Sequence, residues 1–473
     1  KGNVFNPTIL KQIKQSLDQE YFAQGKYAVK VKTKVSRLSR NQVSVGIHIS
    51  EGLDAKILQV HIVGNHKFGS SVLKKQLAIS TPGLVAFFSG KDKYTPQKMA
   101  QSMANLSKFY NDRGYINFKV LSSKVAIDPT RRFFIVNFAV HEGQKYTFSH
   151  YQLSGDLKLP KTDLQKLILV KSGQPYSRSD ITDSMQAISK YYGEHGYAFV
   201  NINPTVKKDD KTDQVSVHFY VTPGLKVFVR HINFIGNNVT RDRTLRQMML
   251  FQEGSLYNTD KIDQSKLRLS RQPYFAGVAQ STSPVPNSSD QIDVNYQLKE
   301  RSANQLRFSL GYSELDKVIV GLGLSMPNVM GTGNSLDTNV QLSKPVKTLS
   351  LSFTQPYFTT DGISQTISLY GQTINNDLRD SANYSTNSYG GSLSYGFPMS
   401  ADNTFNFGVG FDHTELEQPY QATSEVVKDF VAAHHNSFYT YTTTMGVSRI
   451  TTNAHLNYHP RNFPLQDQVA SQL

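Results

Sequence analysis

The arrangement of apolar and polar residues along this chain changes once, near residue 304. Before that point, segments with an apolar residue every three or four positions, typical of amphipathic helices, alternate with segments in which every second residue is apolar, typical of half-buried strands. After it, the helical spacing disappears and period-two alternation continues towards the end of the chain. The pattern therefore predicts an α+β region followed by a region built of strands alone.

The α+β region contains tandem copies of one small unit. Glycines that close an alternating run stand at positions 52, 143 and 224, and glycines in the next turn stand at positions 64, 155 and 236. Both sets of glycines keep the same spacing, which indicates tandem repeats. We predict units at residues 53–144, 145–224 and 225–302, preceded by the C-terminal part of a further unit at residues 1–52.

Each unit has the order strand, helix, helix, strand, strand (β-α-α-β-β). In the first complete unit the second helix is predicted at residues 94–110, and two alternating runs follow at 116–125 and 133–140. Two helices would then cover one face of a three-stranded sheet. The edge strands of so small a sheet either pair with extended segments of other chains or serve only as the rims of a rigid spacer, and the sequence leaves both interpretations open.

The region after residue 304 has one apolar and one polar face. In its first run Leu306, Phe308, Leu310 and Tyr312 alternate with Gln305, Arg307, Ser309 and Gly311. About eight such runs follow one another, the last near Thr444–Tyr458. Their polar face consists of Ser, Asn, Gln, Asp and Gly, which cannot build the core of a soluble sandwich. Lipid on one side and water on the other explains both faces, so we predict antiparallel transmembrane β-barrel strands.

Connections between these runs differ in length. Those at 330–333 and 399–403 are tight, whereas those at 375–387 and 415–438 are long and polar. Short turns at one end and long loops at the other are typical of such barrels. Since no closing strand follows the eighth run, we expect this region to be the N-terminal half of a larger barrel.

Charge is distributed unevenly over the chain. The net charge is +15, but residues 302–473 carry 8 basic and 13 acidic residues, so the preceding repeats have an excess of 20 positive charges. The lysines are scattered over helices and strands and form no single stripe, which argues against a nucleic-acid partner. Solvated helix faces, or attraction to anionic lipid headgroups, account for the basic residues. There is no cysteine, so disulfides play no part.

No signature of an enzyme, cofactor or metal site is found in the sequence. The motifs G-x-S-x-G, H-E-x-x-H and G-x-G-x-x-G do not occur. Residues 89–92 (SGKD) match a phosphate-binding loop poorly, because the Ser or Thr after the lysine is missing. Residues 434 and 435 are adjacent histidines in a long polar loop, where solvent exposure is the expected state. No run of 18 apolar residues occurs, and any export signal is expected to have been removed or to lie outside these residues.

Several longer segments carry a family resemblance. They are residues 230–237 (RHINFIGN), 240–248 (TRDRTLRQM), 252–254 (QEG), 294–301 (VNYQLKER), 308–312 (FSLGY), 330–333 (MGTG) and 355–362 (QPYFTTDG). They resemble the BamA family of outer-membrane β-barrel assembly proteins, which have POTRA domains and a sixteen-stranded barrel. The resemblance implies that residues 1–52 end the second POTRA, that the next three units are the third, fourth and fifth, and that residues 303–473 form about eight of sixteen strands. The first POTRA, the start of the second and the second half of the barrel are not among these residues.

By this resemblance, the chain is expected to be the central component that folds and inserts barrel proteins into a Gram-negative outer membrane by strand templating, with its repeats in the periplasm. The implied partners are unfolded outer-membrane proteins, periplasmic chaperones, membrane lipids and lipoproteins, BamD-like at the fifth POTRA and BamB-like at the third. A two-partner-secretion or TamA-like transporter shares the architecture and is the alternative, although such proteins have two or three POTRA domains.

The resemblance also implies two sets of site residues. Glu253, with Arg246 and Met248, matches a segment of the fifth POTRA that binds a lipoprotein, although a glutamate before Gly254 could equally be a solvated turn residue. Four residues of the first strand, Gln305, Arg307, Ser309 and Gly311, are expected at the lateral gate where a client strand pairs. Gly311 either weakens the pairing of this strand or bends it at the rim, and the sequence does not decide between them.

Overall fold

The structure is a computed structural model, and it describes residues 5–39, 42–52, 54–83, 90–129, 132–375, 384–400, 402–417, 429, 432, 433 and 435–449. The chain divides into two compact units, Lys1–Gly224 and Leu225–Leu473. Each unit is described below by itself.

The first unit holds one partial and two complete repeats. Its elements are α1 (Pro7–Ala23), β1 (Lys30–Leu38), β2 (Gln42–Ser50), β3 (Lys56–Val63), α2 (Ser70–Gln76), α3 (Pro96–Asn111), β4 (Lys119–Ile127), β5 (Phe133–His141), β6 (Thr147–Gly155), α4 (Lys161–Lys166), α5 (Arg178–Glu194), β7 (Asn201–Asp209) and β8 (Gln214–Thr222).

The second unit holds the last repeat and a large sheet. The repeat consists of β9 (Phe228–Ile235), α6 (Asp242–Arg246), α7 (Thr259–Ser270), β10 (Phe275–Pro284) and β11 (Gln291–Glu300). The sheet consists of β12 (Gln305–Ser313), β13 (Lys317–Met326), β14 (Ser335–Leu342), β15 (Val346–Gln355), β16 (Ser364–Asn375), β17 (Ser385–Pro398), β18 (Asn403–Glu417) and β19 (Ser437–Arg449).

Every complete repeat has the same three-stranded sheet. Its last strand lies in the middle, parallel to the first strand and antiparallel to the second, as in the order β3-β5-β4. Side chains alternate along the middle strand, and the half that faces the helices is fully buried, as Val136 and Phe138 are in β5. Leu106 of α3 packs into the same core. The predicted order strand, helix, helix, strand, strand is confirmed in each complete repeat.

The glycines that gave the repeat spacing have a common structural cause. Gly64, Gly155 and Gly236 all have positive φ, at +90°, +116° and +92°. A Cβ atom at any of them would overlap a carbonyl oxygen of the middle strand, which belongs to Val140, Val221 and Leu298 in turn. Only glycine fits where the chain crosses the end of its own sheet so closely.

The partial repeat at the start of the chain leaves apolar side chains uncovered. Its described part is α1 and the hairpin β1–β2, and the side chains of Val35, Val43, Ile47 and Ile49 are 37–43% exposed. In the complete repeats the corresponding face is covered by a first helix and bordered by a first strand, and no counterpart to either lies among the described residues.

The eight strands of the second unit form one antiparallel meander in the order β12 to β19. Each strand pairs with the next along the chain, and among the described residues β12 and β19 are the two edges. The strands become longer across the sheet, from 9 residues in β12 and 8 in β14 to 14 in β17 and 15 in β18.

Two sequence predictions about this sheet are wrong in detail. The eighth strand is Ser437–Arg449, so the predicted run at 444–458 overlaps only its second half, and residues 450–458 lie outside the described part of the chain. Threonines at 440, 442, 443 and 444 blur the alternation there. The contrast between short turns and long loops holds for the last four strands only, because β12–β13 and β14–β15 are also joined by turns of three residues.

Candidate functional site

Strand β12 is an exposed edge. Among the described residues it pairs with β13 alone, in a regular antiparallel register that aligns Arg307 with Gly323 and Ser309 with Gly321. Its apolar side chains are exposed to an unusual degree, between 69% and 73% for Leu306, Phe308, Leu310 and Tyr312. One side of its backbone is therefore open to a further strand.

The four residues that the sequence assigned to the gate lie together on the polar face of β12. The Ser309 side chain lies over Gly321, where a Cβ atom would collide with its hydroxyl, and the Arg307 side chain passes close to Gly323. Gly311 is opposite Ile319, and the register runs through it without a shift. Gly311 thus introduces no β-bulge, and both interpretations of this glycine, weaker pairing and a bend at the rim, stay predictions.

Side-chain hydrogen bonds divide the sheet into two parts. They join neighbouring strands from β15 to β19, between Ser352 and Ser368, Thr354 and Thr366, Thr348 and Gln372, Gln365 and Tyr395, Asn387 and Glu417, Ser388 and Thr414, and Asn406 and Ser448. Tyr370 of β16 also donates across β17 to Asp412 of β18, at 2.5 Å. Among the described residues, no hydrogen bond joins side chains of different strands from β12 to β15. The hydrogen bonds between these described first strands are therefore those of the backbone ladders.

Glu253 of the last repeat is bound within its own domain. Its Oε1 accepts hydrogen bonds from the backbone N–H of Ile232 at 2.9 Å and from the Arg246 guanidinium at 3.1 Å. The Ile232 N–H bond and then the Arg246 side chain lower the pKa of Glu253 below its usual value, although partial burial acts in the opposite direction. The carboxylate is therefore charged at neutral pH and fastens the loop before Gly254 to β9.

Arg246 connects three parts of this repeat. Besides Glu253, its guanidinium donates to the carboxylate of Asp242 at 2.6 Å and to the carbonyl oxygen of Ile232 at 3.2 Å, and it lies 5.7 Å from the ring centre of Phe234. The pKa of Arg246 is raised, first by the bond to Asp242. Arg246 and Glu253 are each about 40% exposed, so a partner can reach both side chains.

Met248 does not lie on the surface of the last repeat. Its side chain is fully buried in the core of the last repeat, as is that of Leu245 in α6. The structure thus corrects the expectation that Met248 contacts a partner directly. Its side chain holds the segment after α6 in place, because burial of a methionine of this size stabilises the packing by about 1.5–3 kcal/mol.

Sequence reasoning missed the contact between the last repeat and the sheet. The turn at residues 328–334, between β13 and β14, docks on the start of α6. The carbonyl oxygen of Gly331 accepts from the Arg241 N–H at 2.9 Å and from the Thr244 hydroxyl at 3.0 Å, and Asn328 donates to the Thr240 hydroxyl at 2.9 Å. A Cβ atom at Gly331 would overlap the carbonyl oxygen of Val239, so only glycine permits this approach.

Glu300 fixes the other half of this contact. Its carboxylate accepts hydrogen bonds from the backbone N–H groups of Asn238, Val239 and Thr240 at 2.8–3.0 Å. Partial burial acts to raise the pKa of Glu300, but these bonds and the Thr240 hydroxyl outweigh it, so the pKa is lowered. A second, exposed link joins the repeat to the sheet where Arg271 pairs with Asp402 at 3.0 Å.

The structure describes only part of the two segments that were considered as ligand sites. Ser89 and His434 lie outside the described residues, while Asp92 is buried and pairs with Lys56 at 3.5 Å. In the described ranges no group of three or more His, Asp or Glu side chains could hold a metal ion. No helix in the described part of the chain is long and apolar enough to cross a bilayer.

Two family models match the chain. The POTRA model, described as a surface antigen variable number repeat, matches residues 1–52, 55–143, 146–224 and 227–301, which together exceed half of the sequence. The model of the Omp85 superfamily domain matches residues 328–461.

Several relatives of the chain carry the same name. The chain is 30% identical over 436 residues to "Outer membrane protein assembly factor BamA" of Neisseria meningitidis. The alignment covers 91% of this chain and 54% of that protein. The chain is 27% identical over 419 residues to the protein of the same name from Buchnera aphidicola, with 88% and 67% covered. The chain thus spans between about half and two thirds of the length of these relatives.

A solved structure supports the architecture. The crystal structure of BamA from Haemophilus ducreyi lacking POTRA domains 1–3 matches with a TM-score of 0.55 at 27% sequence identity, covering 66% of this chain and 61% of that chain. The predicted fold class, α+β POTRA repeats followed by the N-terminal half of an antiparallel barrel, is confirmed by this match and by the two family models.

Proposed function

The chain belongs to the POTRA family, and we propose that it acts as the central component of an outer-membrane machinery that folds and inserts β-barrel proteins. In this proposal its sheet stands in the outer membrane and its repeats stand in the periplasm. Neither a nucleotide nor a metal takes part. The names of its relatives support this role, and the physical argument comes from the edge strand.

The observation that carries the proposal is that β12, the first strand of the sheet, pairs with β13 alone among the described residues. A client strand that enters lipid has to satisfy its backbone N–H and C=O groups, because each unpaired group costs several kcal/mol in hydrocarbon. The free side of β12 offers those hydrogen bonds before the client has formed a sheet of its own. Main-chain pairing makes little demand on sequence, so one template serves many clients.

The direction of β12 constrains how a client can bind. The strand begins next to the last repeat, four residues after β11, and runs away from it. A strand added in the antiparallel sense of this meander runs back towards the repeats. We infer that the captured client segment ends on the periplasmic side, where the repeats can receive the rest of its chain.

The partners that we propose follow from the two sites. Unfolded outer-membrane proteins pair with β12, and periplasmic chaperones deliver them to the repeats. A BamD-like lipoprotein docks on the last repeat around Arg246 and Glu253, and a BamB-like lipoprotein docks on the repeat at residues 53–144. Membrane lipids surround the apolar face of the sheet, and no nucleic acid takes part. A two-partner-secretion or TamA-like transporter remains the alternative, which the three complete repeats and a partial fourth disfavour.

The proposal is tested by disulfide crosslinking in the intact protein. Since these residues contain no cysteine, Ser309→Cys on β12 introduces a single thiol. We expect it to crosslink to a cysteine in the terminal strand of a client during assembly. Ser350→Cys is the matched control, because Ser350 lies in β15, which has a partner strand on both sides. Crosslinks that are absent at Ser309 while clients assemble normally, or that are equally frequent at Ser350, would reject templating by β12.

A further inference from the structure

Each described turn at the repeat-side end of the sheet exposes an apolar side chain. Met330 is 79% exposed between β13 and β14, Phe358 is 49% exposed between β15 and β16, and Met399 is 69% exposed after β17. The ring of Phe358 lies 5.9 Å from that of Tyr395, which belongs to the apolar face of β17. Phe358 therefore extends the apolar face of the sheet to its end, and Met330 and Met399 are exposed at the same end.

The last repeat adds one residue of its own to this apolar rim. Val239 is 65% exposed, and its carbonyl oxygen lies against Gly331, the neighbour of Met330. Three backbone N–H groups of its loop donate hydrogen bonds to Glu300, and Arg241 donates to the carbonyl oxygens of Met330 and Gly331. An apolar side chain is thus held rigidly outward at the edge of the lipid-facing surface.

Charge next to Val239 matches the surface of a membrane. Arg241 and Arg243 are both exposed and stand two and four residues after Val239, and the charge of Asp242 between them is balanced by its ion pair with Arg246 at 2.6 Å. Basic side chains beside an apolar residue are the arrangement that binds an interface of anionic phospholipids, where each contributes about 1 kcal/mol. A protein partner would be expected to meet a larger apolar patch than a single valine and methionine.

We propose that the loop at residues 238–243 is a membrane contact, in which Val239 enters the headgroup region of the inner leaflet and Arg243 binds anionic phospholipid. The last repeat then rests on the bilayer as well as on the sheet. This inference rests on the proposed membrane location of the sheet, and it concerns a surface that strand templating does not require.

Tryptophan fluorescence provides the test, because these 473 residues contain no tryptophan. Val239→Trp is reconstituted in vesicles of phosphatidylcholine and phosphatidylglycerol with brominated acyl chains, which quench an indole only at short range. We expect emission that is shifted to the blue and a loss of intensity that is smaller than for Leu322→Trp, a reference on the apolar face of β13, but clearly larger than for a residue in water. Phe228→Trp is the solvent control, since Phe228 is 44% exposed at the opposite end of β9, about 23 Å along the strand from Ile235.

The outcomes distinguish failure of the loop contact from failure of the membrane location. Quenching at Leu322→Trp without quenching at Val239→Trp overturns the loop contact and leaves the membrane location intact. No quenching at Leu322→Trp overturns both. If Val239→Trp fails to fold, Val239→Cys labelled with an environment-sensitive fluorophore gives the same readout in a chain without other cysteines. Adding Arg243→Gln should weaken the signal at position 239, and an unchanged signal would remove this arginine from the contact.

Discussion

At the scale of single residues, buried or half-buried carboxylates hold the loops of the repeats. Glu300 accepts three backbone N–H groups from the loop after β9, and Glu142 accepts the N–H groups of His66 and Lys67 in the loop after β3. Both glutamates stand at the end of a middle strand. Hydrogen bonds to a charged group contribute about 1.5–3 kcal/mol each, so one side chain stabilises a whole loop.

Glu253 has a similar role within the proposed partner surface, which allows a test by charge exchange. Glu253→Lys should reduce copurification of the lipoprotein that we propose to dock on the last repeat, because it removes the bond to Ile232 and repels Arg246. The double variant Glu253→Lys with Arg246→Glu restores the attraction between the two side chains. If it fails to restore copurification while the repeat stays folded, the charges contact the partner directly.

The control for this experiment is Glu253→Gln, which keeps an oxygen acceptor for the Ile232 N–H and loses only the charge. We expect it to weaken copurification by less than the lysine variant. Normal copurification with Glu253→Lys would remove this residue from the interface.

Contacts of this kind between individual residues could not be predicted from the sequence. Glu253 was recognised as a candidate, but its acceptor role depends on Ile232, 21 positions away, and either a solvated or a bound glutamate fits the same local pattern. The docking of Gly331 on the loop before α6 joins residues almost 90 positions apart, largely through backbone atoms. Backbone atoms are common to all residues, so such contacts have no sequence signature. Met248 was misjudged because a methionine fits both a core and an interface.

At the scale of elements, periodicity predicted most of the fold because each helix and strand has one uniform face. Helix α3 and strand β5 begin or end within two residues of the predicted limits. The limits of strand β19 were predicted wrongly because threonine is neither clearly apolar nor clearly polar, so its threonines interrupt the alternation that marks the two faces. What periodicity could not indicate is how firmly neighbouring strands are joined, which depends on pairs of side chains across the sheet.

The division of the sheet by side-chain hydrogen bonds predicts a difference in hydrogen exchange. Strand β14 has a neighbour on both sides, like β17, but lacks cross-strand side-chain bonds. We expect backbone amides of β14 to exchange about five- to thirtyfold faster than those of β17, because one or two net hydrogen bonds are worth roughly 1 kcal/mol each. Hydrogen-exchange mass spectrometry of the membrane-embedded protein measures this.

Tyr370→Phe serves as the control for that measurement. It removes the bond to Asp412 and should raise exchange in β16 and β18 while leaving β13 and β14 unchanged. Equal protection of β14 and β17 in the wild-type protein would contradict the division of the sheet.

At the scale of the whole molecule, neighbouring repeats in the first unit are fastened by specific polar contacts. Asp112, at the end of α3, accepts hydrogen bonds from the backbone N–H of Ser179 at 2.9 Å and from its hydroxyl at 2.8 Å, at the start of α5. The Lys208 ammonium also donates to the side-chain oxygen of Asn117 in the preceding repeat, at 3.1 Å. A carboxylate from one repeat thus occupies the helix N-terminus of the next, where negative charge is favoured.

We therefore expect Asp112→Ala to uncouple these two repeats. The loss should be roughly 1–3 kcal/mol, since two hydrogen bonds to a charged group disappear. Urea-dependent hydrogen exchange should show both repeats opening together in the wild type and separately in the variant. Asp183→Ala, on the exposed face of α5, is the control and should behave as wild type. Joint opening in both variants would show that Asp112 does not couple the repeats.

In the proposed membrane location, the unequal strand lengths of the sheet have a consequence for the surrounding bilayer. With a rise of about 3.3 Å per residue and a tilt near 45°, β18 reaches about 35 Å along the membrane normal, whereas β14 reaches only about 19 Å. A bilayer that matches the height of the strands at each position has to be thinner beside β12–β14 than beside β18. This thinning has an elastic cost of a fraction of a kcal/mol per Å of mismatch. The hydrocarbon layer beside β12 is then thinner than the layer beside β18. A polar hairpin that crosses the membrane next to β12 has the shorter apolar distance to cross.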